Sequence, residues 1–519
     1  MGPFRYAAFA VLWSATVVSN IGTWMQSAAA GWLMTSIDAS PSTVAMVQVA
    51  SSVPMMLFAI PSGALADLVD RRRLLLLVQI VSTVLIAALA SVVWLGRVTP
   101  FALLAFTFLL GVTSVLVAPA WQSIVSQLVP PKDLGQAIAL NSAGVNISRA
   151  IGPALAGLVI VAWGLAAPFW LNAVSNIGVI LALIWWRAPV AAGSVLPRER
   201  MASAMRIGLR YARYNVHLRA TMVRAAAFFT FAGAYWALLP LVAREQIAGG
   251  PQLYGILLGA IGIGAVVAAF ALPRLKERFD ADRLVVAGSF GTVIALLLFG
   301  VARDPVMALV ACVIAGLSWI TVLATLNVAA QLSLPAWVRG RGLATFVTVQ
   351  FAAMTVGSLT WGYVADKFGL SVAHYVAAGG LLVLLPLLRR WRLETTKGLD
   401  LAPSMHWPAP VLSQPVEVDR GPVLVTIEYR VTAGDRDAFL KAIAPLEHER
   451  RRDGAFEWFL FEDAAEAGRF VETFMLNSWI EHLRQHERAT NADRVLQERV
   501  GSFHATGAPK VTHLIAIDL

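Results

Sequence analysis

Along residues 1–390 apolar residues do not alternate with polar ones but run in blocks of twenty or more, each closed by a short polar or Pro- and Gly-containing stretch. An α-helix needs about 20 mostly apolar residues to cross the ~30 Å hydrocarbon core of a bilayer. Twelve blocks meet that length, near residues 7–34, 43–66, 74–95, 101–126, 137–162, 168–186, 221–243, 253–272, 284–302, 306–330, 342–365 and 371–388. The first block is too long for a signal-peptide core and no small-residue cleavage site precedes polar sequence, so it is read as a retained helix.

Past residue 420 the period changes. Strands are predicted over 423–430, 456–461, 469–475 and 511–518, and helices over 435–451 and 477–490, the second continuing toward Val500. The order βαββαβ is the ferredoxin-like arrangement. The expected fold is thus an all-α polytopic membrane protein, twelve transmembrane helices in two six-helix halves, plus a small α+β ferredoxin-like C-terminal domain. Its parts are a first bundle at 1–186, a basic cytoplasmic linker at 187–220, a second bundle at 221–390, a second linker at 391–420 and the terminal domain at 421–519.

Composition agrees with this reading, since 58% of the residues are hydrophobic and only 14% charged, against roughly a quarter charged in soluble domains. A single water-soluble domain is excluded. Residues 1–400 hold 28 Lys and Arg against 13 Asp and Glu, whereas residues 401–519 hold 13 against 18. With the N-terminus inside, interior connections and tails take 23 of those cations, and exterior loops take four, Arg97, Arg244, Arg303 and Lys367. The positive-inside rule then places both termini in the cytoplasm of a cell whose plasma (inner) membrane the chain spans. Within the first linker, Arg206, Arg210 and Arg213 share a helical face, which suits a basic amphipathic helix on the anionic inner leaflet.

One cysteine, Cys312, leaves no intrachain disulfide and no Cys-rich metal or iron–sulfur site held by this chain alone. No GxxxxGK[ST] loop is present to bind ATP. Nucleic acid is not an expected partner, and no cofactor is expected.

The chain repeats itself. Gln127-Leu128 with Pro131 recurs as Gln331-Leu332 with Pro335, and residues 151–157 fall on 356–362, both near a shift of 205. Asp70 through Leu74 fall on Asp280 through Leu284 at a shift of 210. Such duplication is common in transporters.

Between the second and third blocks stand Gly63, Asp67, Asp70, Arg71 and Arg72. Gly63 permits close helix approach, and Asp67 can pair with the arginines just outside the hydrocarbon, which would latch one conformation. This segment resembles the cytoplasmic-loop signature of the major facilitator superfamily; the second-half copy, 273–283, lacks its glycine and aspartate. In the fifth block, Gly152, Pro153 and Gly157 combine a proline kink with small packing residues. They resemble the glycine–proline motif of the superfamily's exporters, which implies efflux, although Leu158 stands at the last position of its glycine pair.

Arg149, ~13 residues into that helix, lies ~20 Å deep at 1.5 Å per residue, where an arginine costs at least ~2.5 kcal/mol. A residue so costly is a candidate for binding an anionic substrate group or for coupling, the alternative being a structural cation. Asn20, Gln26, Asn146 and Gln350 are the amides assigned with it to a central cavity. Each would serve equally as a hydrogen-bonded tie between helices. Residues 1–400 as a whole resemble the branch of the superfamily that includes enterobactin exporters. The resemblance implies alternating access about a midplane site, proton-coupled.

The last hundred residues resemble the antibiotic-biosynthesis-monooxygenase-like domains, which are cofactor-free and dimeric. On that resemblance Glu472, Trp479 and His486 would line a pocket and the domain would mediate a homodimer. His448, His482 and His486 also raise a metal reading, but solvated helix histidines beside Glu481 and Glu487 fit the spacing better, and no metal is expected. The expected function is a secondary transporter exporting a small organic molecule such as a siderophore, drug or metabolite. The alternative is a membrane-tethered cofactor-free monooxygenase-like enzyme, or a substrate-sensing domain fused to a permease.

Overall fold

A computed structural model describes the backbone of residues 2–186, 201–393, 400–407, 417, 420–505 and 507–517, with their side chains except at 64, 66–68, 123, 126, 201–205 and 207. Much of the two expected linkers, and the side chain of Asp67, therefore lie outside the described residues.

Twelve helices among the described residues are long and apolar enough to cross a membrane. Six precede the linker helix: α1 (Ala7–Ile37), α2 (Pro41–Leu68), α3 (Arg71–Trp94), α4 (Pro100–Leu128), α5 (Pro131–Trp163) and α6 (Ala167–Trp185). After α7 (Met201–Tyr214) come α8 (Val216–Leu241), α9 (Pro251–Arg278), α10 (Ala281–Val301), α11 (Pro305–Leu332), α12 (Arg339–Phe368) and α13 (Leu370–Leu387). Each covers one predicted block, and several start earlier than hydropathy alone suggests. Proline stands at the first turn of α2, α4, α5 and α9, where its missing N–H costs nothing and its fixed φ favours the helix. Ser40, Asp70, Thr99 and Asp280 accept a backbone N–H as N-caps, satisfying donors that a helix start leaves unpaired.

The chain divides into two compact units. The first comprises Met1–Met201, Ala220–Val328 and Ala344–Glu394. In it α1 packs on α5 and α6, α2 on α4, α3 on α4 and α6, α10 on α13, and α5 on α9. The second comprises Ala202–Arg219, Ala329–Leu343 and Thr395–Leu519.

The sheet of the second unit is built from β1 (Val423–Arg430), β2 (Glu457–Glu462), β3 (Arg469–Leu476) and β4 (Lys510–Ile515) in the order β2-β3-β1-β4, every pair antiparallel. Helices α14 (Arg436–Asp453), α15 (Trp479–Arg488) and α16 (Asn491–Gly501) complete it. Strand β3 alternates half-buried and buried residues along its whole length, as one covered sheet face requires. The buried face holds Tyr429, Phe439, Ile443 and Phe470 in one cluster and Val425, Phe474 and Trp479 in another. The helix predicted over 477–490 is α15, and the alternative of one helix continuing to Val500 does not hold: Thr490 and Asp493 form a reciprocal capping box that starts α16 afresh.

The linker helix forms as predicted, but its face is not free for lipid. Tyr211 and Ala212 are buried, Arg210 donates to the Gly454 carbonyl at 3.1 Å, and Arg452 stacks over Tyr211 at 5.5 Å. Only Arg206 and Arg213 of its basic stripe are exposed. A tyrosine beside an arginine finds better burial against protein than at a headgroup layer, because both its ring and its hydroxyl are used.

Candidate functional site

The loop between α2 and α3 is organised by backbone groups. Asp70 Oδ1 caps α3 by accepting the Arg73 amide at 2.7 Å. Arg72 reaches the far end of α6, its Nε donating to the Leu183 carbonyl at 2.8 Å and its Nη2 to that of Ile184 at 2.9 Å. These are last-turn carbonyls that α6 leaves unpaired, at the negative end of its dipole. Arg72 is therefore a clasp between α3 and α6, a partner that residue spacing does not suggest. Asp280, in the second half, caps α10 through the Arg283 amide at 2.8 Å, so this device is duplicated. Position 282 departs from the repeat: Asp282 pairs with Arg224, which is 1% exposed.

Helices α5 and α9 lie backbone against backbone. A Cβ on Gly157 would sit 2.7 Å from the Pro251 carbonyl oxygen, one on Gly255 2.7 Å from that of Pro153, and one on Gly262 2.6 Å from Ala150 Cα. Gly152 makes the same approach to α1, 2.6 Å from Trp24 Cβ. Contacts at this end of the bundle continue with Ser40 Oγ to Asp366 at 3.3 Å and Arg244 Nη1 to Thr35 and Ser36 at 3.1 and 3.0 Å. Trp32 stacks on Tyr254 there. Gly255→Leu would force these backbones apart; we expect transport to fall to background while the protein still reaches the membrane, measured as efflux normalised to protein content.

Arg149 stands at the inner limit of this seam, one residue before Ala150. Its guanidinium lies over the Trp24 ring at 5.0 Å, and its buried Nε finds no hydrogen-bond partner among the described residues. Helical spacing puts Ser142, Asn146, Arg149 and Pro153 on one stripe of α5. The stripe that meets α9 further along thus becomes polar toward the α5 N-terminus. Asn20 is half-buried one turn before Trp24 on α1, and Asn146 donates to the Ser142 carbonyl at 3.0 Å. A cation–π contact that leaves a guanidinium N–H unused is suited to receiving an acceptor from a bound molecule.

The other amides separate from this group. Gln26 accepts from Asn172 Nδ2 at 2.6 Å, and Asn176 accepts from Ser19 Oγ at 2.6 Å. Both ties join α1 to α6. Gln350 is buried in α12, and no described contact brings it to Arg149. Sequence reasoning missed His374 in α13, fully buried, whose Nδ1 meets the Leu370 carbonyl at 2.7 Å while Nε2 has no partner among the described residues. Its only signal is a histidine inside an apolar run.

In the second unit Glu472 is completely buried and fully engaged. Its Oε1 accepts from Arg450 Nε at 3.1 Å and Trp458 Nε1 at 3.0 Å, and its Oε2 from the Tyr429 hydroxyl at 3.0 Å. Three of the roughly four acceptor positions of a carboxylate are thus taken by protein donors. Trp479 packs against His482 and His513, and His486 against Trp407. Trp479 and His486 thus flank the same His482, and Arg450, which lies over Trp407 at 5.2 Å, links Glu472 to this group.

A cavity of about 530 Å³ is bordered by Tyr214, His217, Lys441, His448 and Glu449. Burial pushes the Glu449 carboxyl up to about 8, and its Oε2 lacks a hydrogen-bond partner. The folded unit then holds a proton that the unfolded chain releases near pH 4.5, so this group's contribution to stability falls as pH rises toward 8. Thermal unfolding of the tail between pH 6.5 and 8 should show that decline, and Glu449→Gln should flatten it.

The prediction of solvated helix histidines fits exposed His448 and is corrected for His482. His482 is 2% exposed because β4 and Trp479 cover this face of α15, and β4 brings His513 beside it. Burial lowers His482 to about 3 and His486 to about 4, and lowers His513 as well. All three are neutral imidazoles near pH 7. His448 belongs elsewhere, beside Tyr214.

A family model described as transmembrane secretion effector matches residues 1–518. The Staphyloferrin A transporter of Staphylococcus aureus is 24% identical over 364 residues, 69% of this chain and 89% of that protein. The multidrug efflux pump Tap of Mycolicibacterium fortuitum is 23% identical over 411 residues, 77% and 98%. Among solved structures, a mutant of the nucleoside transporter NupG superposes with a TM-score of 0.62 at 11% identity, over 74% of this chain and 99% of that one. An inward-facing bacterial homologue of the lysosomal transporter Spinster gives 0.55 at 15% identity, over 75% and 96%.

Proposed function

The chain belongs to the transmembrane secretion effector family, transporters of the major facilitator superfamily, and from that premise we propose that it exports a small organic molecule carrying an anionic group. The observation that carries this reading is Arg149, a cation held at the end of the α5–α9 seam with a guanidinium N–H unused. Relatives named for a siderophore and for drugs support the substrate class. Export proceeds by alternating access. The contacts of Ser40, Arg244 and Tyr254 hold the outer end together, with both termini in the cytoplasm and the helices in the plasma membrane.

The proton gradient drives the cycle, and buried His374 is a titratable group available inside the second half. Asp67 with Arg71 forms the inner latch, while Arg72 anchors α3 to α6. The tail is a ferredoxin-like domain that pairs two copies; Phe459, Phe461 and Leu514 are exposed apolar residues on its sheet, a surface suited to a second copy.

Comparing metabolites inside and outside cells with and without the gene tests export. The reading predicts an anionic small molecule that accumulates inside when the protein is absent and whose efflux stops with an uncoupler. Identical internal and external profiles refute it.

A further inference from the structure

We propose that His482, His486 and His513 form a site for one late first-row divalent metal ion, of which zinc is the reference. Helix α15 sets His482 and His486 one turn apart on one face, their rings perpendicular and their Nε2 atoms 3.3 Å apart. Zinc–nitrogen bonds of 2.0–2.1 Å in a tetrahedron place two ligand nitrogens about 3.3 Å apart. Strand β4 supplies the third ligand. Its register sets His513 opposite Val425, whose side chain is in the buried core on the helix side of the sheet. One ring nitrogen from each histidine lies within 4.8 Å of the others.

A hydrogen bond between His482 and His486 would account for their spacing but not for the third imidazole. An all-imidazole set selects zinc, copper, nickel or cobalt over magnesium or calcium. His406 does not join, since both its nitrogens are occupied, by Ser404 and Gln497. Three protein ligands leave a fourth position for water or a small anion.

The test uses the full chain in detergent, purified through a tag without histidine, stripped with chelator and titrated with cobalt(II) and then zinc. One equivalent of cobalt should bind with a visible absorption band that zinc abolishes. His513→Ala, on an edge strand, and His486→Ala should each weaken binding at least about tenfold, with circular dichroism unchanged. His448→Ala, at an exposed histidine outside the cluster, should bind like the wild type. The proposal is overturned if the wild type binds no more tightly than a variant lacking all three histidines, or if His448→Ala loses as much affinity as His513→Ala.

Discussion

Arg149→Ala should reduce efflux to that of cells lacking the protein, while the amount in the membrane stays the same or rises. The sign on insertion follows from cost, because an arginine at this depth is unfavourable by at least ~2.5 kcal/mol and alanine removes that penalty. What supports the cation in place is a stacking contact with Trp24 and no ion pair among the described residues. A structural cation would leave a packing defect; a binding group leaves an intact but idle transporter. Arg149→Lys retains charge without the planar fork and should recover only part of the rate. Efflux by Arg149→Ala equal to wild type would remove the assigned role.

Glu472→Ala should strongly destabilise the tail, at a cost of about 3–5 kcal/mol out of the 5–15 kcal/mol that holds a typical domain together. Arg450 is 2% exposed, and Glu472 is its closest carboxylate. Its other carboxylate neighbour, Glu449, is pushed up to about 8 and carries little charge at neutral pH. Removing Glu472 therefore strands a buried guanidinium and also orphans Trp458 and Tyr429. Replacing both members, Glu472→Leu with Arg450→Met, should be closer to wild type than Glu472→Ala alone. Protease sensitivity of the tail in the full chain would report all three variants; a Glu472→Ala tail as resistant as wild type would contradict the account.

Local patterns are readable in the sequence and long-range pairings are not. Apolar runs with Pro41, Pro100 and Pro131 at their starts mark helices without reference to anything distant, and alternation marks β1 and β3 in the same way. The break at Thr490 is also written locally, as a threonine three residues before an aspartate, but helical periodicity continues through it and hides it. Arg72 shows a real limit: its partners are carbonyls, which every residue carries, so no spacing could single them out. Gln26 has the same composition signal whether it lines a cavity or ties α1 to α6. His513 becomes a neighbour of His482 only through sheet register across residues far apart in sequence.

The seam of Gly157, Gly255 and Gly262 bears on motion. Side chains that interlock make discrete steps when one helix shifts past another, because each tooth must leave its groove. Here carbonyls face bare Cα atoms, so the contact is smooth and works as a fulcrum. A molecule that wedges there would stall the pump without ever competing with its cargo.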